Sequence, residues 1–232
     1  MKTTKRFWTI CVLAVVFVLS FALAACDTDT PTPPPDNKDQ PNWTLNSPDG
    51  KVKADVYFAN GQISYTVTKD GIAVVEKSNL GMATDQCEFV DLTFVSEQTS
   101  EDTISYTNLT GKTKQVTTSY KQNVLTFAEG DYLLDVVFRT YNDGYAFRYN
   151  IRKANESTGD FTVTDELTHF ALPQNAKTYA MAVVTNVGVL GGGAYYSYED
   201  KYQYRSYKNL GDEQLGFPVM YSVKSGDEEV YS

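Results

Sequence analysis

From residue 51 onward, apolar and polar side chains alternate along this chain. Val52, Ala54, Val56 and Phe58 are separated by Lys53, Asp55 and Tyr57, which predicts a strand with one apolar face. Asn60-Gly61 follows, a strong short-range hairpin signal; Ile63, Tyr65 and Val67 then alternate, and Asp70-Gly71 turns the chain again. The pattern predicts a three-stranded meander over residues 51–77. Further β-like runs lie at residues 92–95, 103–107, 115–120, 124–127, 132–141, 145–151, 161–164, 178–184 and 216–223. Asn142-Asp143-Gly144 separates two of them and reads as a tight turn that uses a residue at positive φ. No long segment has helical periodicity. Short strands at close spacing with turn residues between them predict an all-β fold, a distorted antiparallel β-sandwich.

The first 44 residues depart from this pattern. Lys2, Lys5 and Arg6 precede an apolar run over residues 7–25 broken only by Thr9 and Ser20, and Leu23-Ala24-Ala25-Cys26 has the form of a bacterial lipobox. Residues 1–25 therefore read as a lipoprotein signal peptide, with the Cys26 thiol as the lipidation site and a membrane as partner through that anchor. A single transmembrane anchor is the competing reading, since the run is long enough to span a tilted or thinned bilayer. Either places the body outside the cytoplasmic membrane. The Thr, Asp and Pro of residues 27–41 offer nothing to bury, so residues 26–44 read as a lipidated cysteine and disordered linker, followed by one domain over residues 45–232.

A chain of 232 residues has room for one sizeable core. Beyond Cys11 and Cys26 the only cysteine is Cys87, so the domain has no internal disulfide, and Cys87 reads as a small buried apolar side chain. The net charge of −9 becomes more negative once the leader's cations are removed. Such a surface repels phosphate backbones, which argues against nucleic acid as a partner and leaves neutral sugars unopposed.

Several short motifs occur in an order that resembles the N-terminal domain of glycoside hydrolase family 97. They are Ser47-Pro-Asp-Gly50, Gly61-Gln-Ile-Ser-Tyr65, Lys69-Asp-Gly71, Ser78-Asn-Leu-Gly-Met82, Thr110-Gly-Lys112, the stretch Asp135-Val-Val-Phe-Arg-Thr-Tyr-Asn-Asp-Gly-Tyr-Ala-Phe-Arg-Tyr149, Phe170-Ala-Leu-Pro173, Tyr198-Glu199 with Tyr202, and Gly216-Phe-Pro218. The resemblance implies a super-sandwich similar to galactose mutarotase, joined in the family to a catalytic (β/α)8 barrel. It implies α-glucosidase or α-galactosidase chemistry, retaining or inverting, with calcium at the active site. It also implies that Glu199 contributes one calcium ligand while the acid, base and nucleophile reside on the barrel. The competing reading of Glu199 is a solvated strand-edge acid.

The chain enters a new strand at its last residues and stops, so it is expected to be incomplete at the C-terminus, without catalytic residues and inactive alone. Tyrosines crowd residues 195–207, and Tyr196, Tyr198 and Tyr202 are the candidate carbohydrate contacts, because aromatic faces stack on sugar C–H groups; packing on half-buried strands is the alternative. His169, the single histidine, reads as structural or surface, and Arg139 and Arg148 as ion-pair partners. The function expected is the carbohydrate-associated domain of a cell-surface hydrolase acting on α-glycosidic bonds, with an oligosaccharide or α-glucan as ligand. Two alternatives stay open: a non-enzymatic surface lipoprotein that binds glycans, and a subunit completing a separately encoded barrel.

Overall fold

The computed structural model describes residues 40–155, 160–182, 185–186, 194–195, 201–226 and 228–231. The leader, Cys26 and most of the linker lie outside the described residues. Strands β1 (Trp43–Asn46), β2 (Val52–Ala59), β3 (Gln62–Lys69) and β4 (Ile72–Leu80) form an antiparallel sheet in sequential order. A short β5 (Met82–Thr84) follows. Then β6 (Thr93–Thr107), β7 (Gln115–Glu129), β8 (Tyr132–Tyr141) and β9 (Gly144–Lys153) make a second sequential sheet. β10 (Val163–Glu166) pairs back onto β5, and β11 (Lys177–Ala182) begins a third sheet. β12 (Thr185–Asn186) and β13 (Ala194–Tyr195) pair as a short ribbon. β14 (Gln203–Ser206), β15 (Leu215–Ser225) and β16 (Glu228–Tyr231) complete the third sheet in the order β14-β11-β15-β16. The expected all-β sandwich is the fold observed.

Period-two alternation explains how the first two sheets meet. Trp43, Leu45, Val52, Ala54, Val56, Ile63, Tyr65 and Val67 point from one sheet into a core shared with Leu125, Phe127, Leu134, Val136 and Phe138 of the other. Phe127 sits at its centre, with ring centroids 5.0 Å from Phe58, 5.9 Å from Phe94 and 6.0 Å from Trp43. Farther along, Tyr65 packs 5.5 Å from Phe147 and 6.2 Å from Phe138. Its hydroxyl, fully buried, donates to the carbonyl of His169 at 3.1 Å.

Both predicted meander turns form. Asn60 and Gly61 have φ of 51° and 73°, and Asp70 and Gly71 have 50° and 81°, the two positive values a tight twisted hairpin needs. At Gly61 a side chain would also meet the backbone of Asp91 and Leu92 at 3.0 Å. The third hairpin differs from expectation. It closes over Asn142-Asp143, with Tyr141 paired to Gly144, and none of these residues is among those with positive φ. Asn142 instead accepts a hydrogen bond from the Asp49 backbone N–H at 3.0 Å, joining this turn to the Ser47–Gly50 turn. There the Ser47 hydroxyl donates to Asp49 at 2.6 Å and holds that carboxyl below its ordinary pKa.

Other boundaries moved. Trp43 and Thr44, assigned to the linker, belong to β1, and Trp43 is buried in the core. The separate runs 92–95 and 103–107 are joined in β6, and 115–120 and 124–127 in β7. The intervening residues are polar, largely exposed in β6 and half-buried or buried in β7, and cross-strand pairing keeps them extended: Asn123 Nδ2 donates to Glu97 at 2.8 Å and Gln122 Nε2 to Ser100 Oγ at 3.3 Å.

The edge of β4 is covered by residues 167–171. Leu167 N–H donates to Gly81 O at 3.0 Å, His169 N–H to Asn79 O at 2.9 Å, and Glu76 N–H to Ala171 O at 2.8 Å. Ser78 Oγ accepts from the Ala171 N–H at 2.8 Å. Phe170 lies 5.9 Å from Phe147, nearly parallel to it. The Phe170-Ala-Leu-Pro173 motif thus begins in a clasp on the first sheet. The His169 side chain is exposed, as a surface role requires, while its backbone is part of that clasp.

Candidate carbohydrate-binding face

The third sheet has one face on the body of the domain and one in solvent. Inward, Thr178, Ala180 and Val223 are buried, and the Tyr221 hydroxyl donates to Val74 O at 2.8 Å. Outward, cross-strand register sets Tyr179 between Tyr204 of β14 and Met220 of β15. The next row is Ser206, Lys177, Ser222 and Tyr231. Tyr179, Tyr204, Met220 and Tyr231 are 43%, 51%, 48% and 61% exposed, so an apolar and aromatic surface faces water across all four strands.

The rings of Tyr179 and Tyr204 are 5.3 Å apart at 40°, and Lys177 Nζ lies 5.4 Å from the Tyr204 ring centroid. Together with Met220, Ser222 and Tyr231 they line a shallow hollow of about 210 Å³. The negative charge of neighbouring Glu229 pushes the Tyr231 hydroxyl above its ordinary pKa, so it stays a neutral donor and acceptor. Ring faces for C–H stacking, phenolic hydroxyls and one ammonium are a set of groups that suits a neutral sugar.

Of the residues singled out from sequence, Tyr196, Tyr198 and Glu199 lie outside the described residues, as does Cys26. Tyr202 is exposed, just before β14. Tyr204, a member of the same tyrosine run, reaches the hollow. Tyr179, Met220 and Tyr231 were missed. Their signal is register: only pairing β11 with β14 and β15 shows that residues distant in sequence share one face.

Calcium needs six to eight oxygen ligands. The described residues bring no three His, Cys, Asp or Glu side chains together. Cys87 is half-buried rather than fully buried, packed on the edge of the core with Sγ 3.9 Å from Glu129 O, and burial pushes its thiol pKa up. Arg139 and Arg148 are not ion-paired within the described residues. Arg139 instead stacks 4.2 Å over the Tyr120 ring and donates from Nε to Gln122 at 2.8 Å.

A sequence profile described as Glycosyl-hydrolase 97 N-terminal matches residues 45–231, most of the chain. The chain belongs to glycoside hydrolase family 97. Among solved structures, a family 97 enzyme from Pseudoalteromonas sp. strain K8 in complex with panose is 20% identical, with a TM-score of 0.61. The same enzyme in complex with acarbose gives 20% and 0.62, and a β-arabinopyranosidase gives 23% and 0.65. Each alignment covers 77% of this chain. The chain spans only 26% of the Pseudoalteromonas enzyme and 29% of the arabinopyranosidase. No curated protein matches the sequence. At these identities the solved structures establish the fold, and the profile establishes the family 97 N-terminal domain.

Proposed function

We propose that this chain is the carbohydrate-associated N-terminal domain of a cell-surface glycoside hydrolase acting on α-glycosidic bonds, held to the membrane by lipid on Cys26. The single observation that carries the carbohydrate part is the solvent-facing row Tyr204, Tyr179 and Met220 with Tyr231 beside it, on a domain of a glycoside hydrolase family. The α-linkage rests on the sequence resemblance and is supported by the panose and acarbose complexes of the Pseudoalteromonas enzyme. Hydrolysis itself is assigned to a family 97 barrel, because glycoside cleavage needs two carboxylates facing one bond. Glu199 would lend that barrel one oxygen ligand for calcium.

The exposed tyrosine face also favours a second reading, glycan binding without any hydrolysis. One experiment separates them. The 232-residue chain is assayed with panose and p-nitrophenyl α-glucoside, alone and with a separately produced family 97 barrel, with calcium present. No turnover alone and turnover on mixing is the expected result. Turnover by the chain alone would sink the division of labour. Panose binding with no response to the barrel would favour the second reading.

A further inference from the structure

Four arginines fall among the described residues. Arg152 pairs with Asp135 at 3.3 Å and Arg205 with Glu213 at 2.7 Å. Arg139 and Arg148 have no carboxylate partner among the described residues, and both lie on the outer face of the β6–β9 sheet. Arg139 is opposite Ala146 and Arg148 opposite Val137. They are therefore diagonal neighbours, about 7–8 Å apart at the backbone. Adjacent like charges repel, in a chain whose net charge of −9 offers abundant carboxylates.

Arg139 is also held in place. Tyr120 lies under its guanidinium at 4.2 Å, Nε donates to Gln122 Oε1 at 2.8 Å, and Gln122 Nε2 donates on to Ser100 Oγ at 3.3 Å. These contacts fix the plane and commit Nε, leaving the two Nη groups as a fork for a planar oxyanion. Arg148, exposed, stands beside it. Between them is a hollow of about 150 Å³ lined also by Val137, Tyr141 and Ala146.

We propose that this hollow binds the carboxylate of an acidic sugar, a uronate unit. The Arg139 fork takes the two oxygens, Arg148 adds a second cation, and Val137, Ala146 and Tyr141 receive the C–H side of the ring. A peptide is disfavoured here. β8 is hydrogen-bonded to β7 on one side and β9 on the other, so the strand that carries Arg139 offers no main-chain ladder. The choice of a sugar rests on the glycan reading above; the carboxylate comes from the arginine geometry alone.

The test is calorimetric titration of the 232-residue chain with sodium glucuronate, glucose and sodium acetate at low salt. Glucuronate is expected to bind at least about tenfold more tightly than acetate, glucose not at all, and added salt to weaken the binding. Arg148→Ala, at an exposed position, should lower glucuronate affinity at least about tenfold, and Arg139→Lys, which keeps charge and loses the fork, should do likewise. Equal binding of acetate and glucuronate, no binding of glucuronate, or full binding by Arg148→Ala would overturn the proposal. Tyr179→Ala/Tyr204→Ala should leave glucuronate binding intact while removing neutral α-glucan binding, so the two sites fail separately.

Discussion

The first two sheets and the third sheet are held by different amounts of interior. Between the first two, side chains from Trp43 and Leu45 across to Val136 and Phe138 form one continuous apolar core. Beneath the third, the buried cluster is Ile72, Ala176 and Val223, with Leu172, Tyr207, Tyr221 and Val230 partly buried against it. The third sheet carries its aromatic residues on the outside instead, at Tyr179, Tyr204 and Tyr231. Sheets one and two spend their apolar residues on stability; sheet three presents them for contact.

The contrast is broken most directly by truncating one residue from each. Phe127→Ala is expected to cost about 3–5 kcal/mol, because a fully buried ring with three aromatic neighbours leaves a cavity. Met220→Ala should cost under about 0.5 kcal/mol. Urea unfolding of both variants decides it, and equal losses would erase the distinction.

Alkaline pH should act on the first core next. Burial pushes Tyr145 and Tyr149 up to about 12 from an ordinary 10.0. The folded values exceed the unfolded ones, so this contribution is complete below pH about 10 and is lost as pH rises through about 12. Unfolding midpoints should fall across that window, and Tyr145→Phe should flatten the fall. A midpoint indifferent to pH there would mean these hydroxyls are solvated.

On the third sheet, Tyr179→Ala/Tyr204→Ala should weaken maltooligosaccharide binding at least about tenfold while moving stability by less than about 1 kcal/mol. A large stability loss with binding retained would show that the pair is packing, not platform. The smallest effect is kinetic. Cys87, its thiol pKa raised by burial, should react with iodoacetamide at pH 8 more slowly in the folded chain than in urea. Equal rates would place it outside the first core's protection.

The meander and its two turns were legible because Asn60-Gly61 and Asp70-Gly71 announce themselves and residues 52–67 alternate on a half-buried sheet. β6 was cut in two because Ser96 to Asp102 are all polar, and β7 because Lys121-Gln122-Asn123 interrupt its apolar positions; cross-strand pairing carries both strands through. β1 was lost to the linker because four residues carry too little pattern, although buried Trp43 marks it afterwards. The aromatic face was only partly legible. The tyrosine run led to Tyr204, but Lys177-Thr-Tyr-Ala-Met181 shows no consistent polar side, so Tyr179 could not be assigned outward without its neighbours.

The clasp over β4 gives the order in which this domain can be finished. Residues 76–81 obtain their edge partners from residues 167–171, and Val74 obtains its bond from Tyr221, 147 positions downstream. A chain emerging N-terminus first completes its local hairpins early, yet leaves that edge bare until most of its length is available. The first sheet is thus built early and sealed late, and in that interval its exposed strand is the place where a neighbouring chain can pair in error.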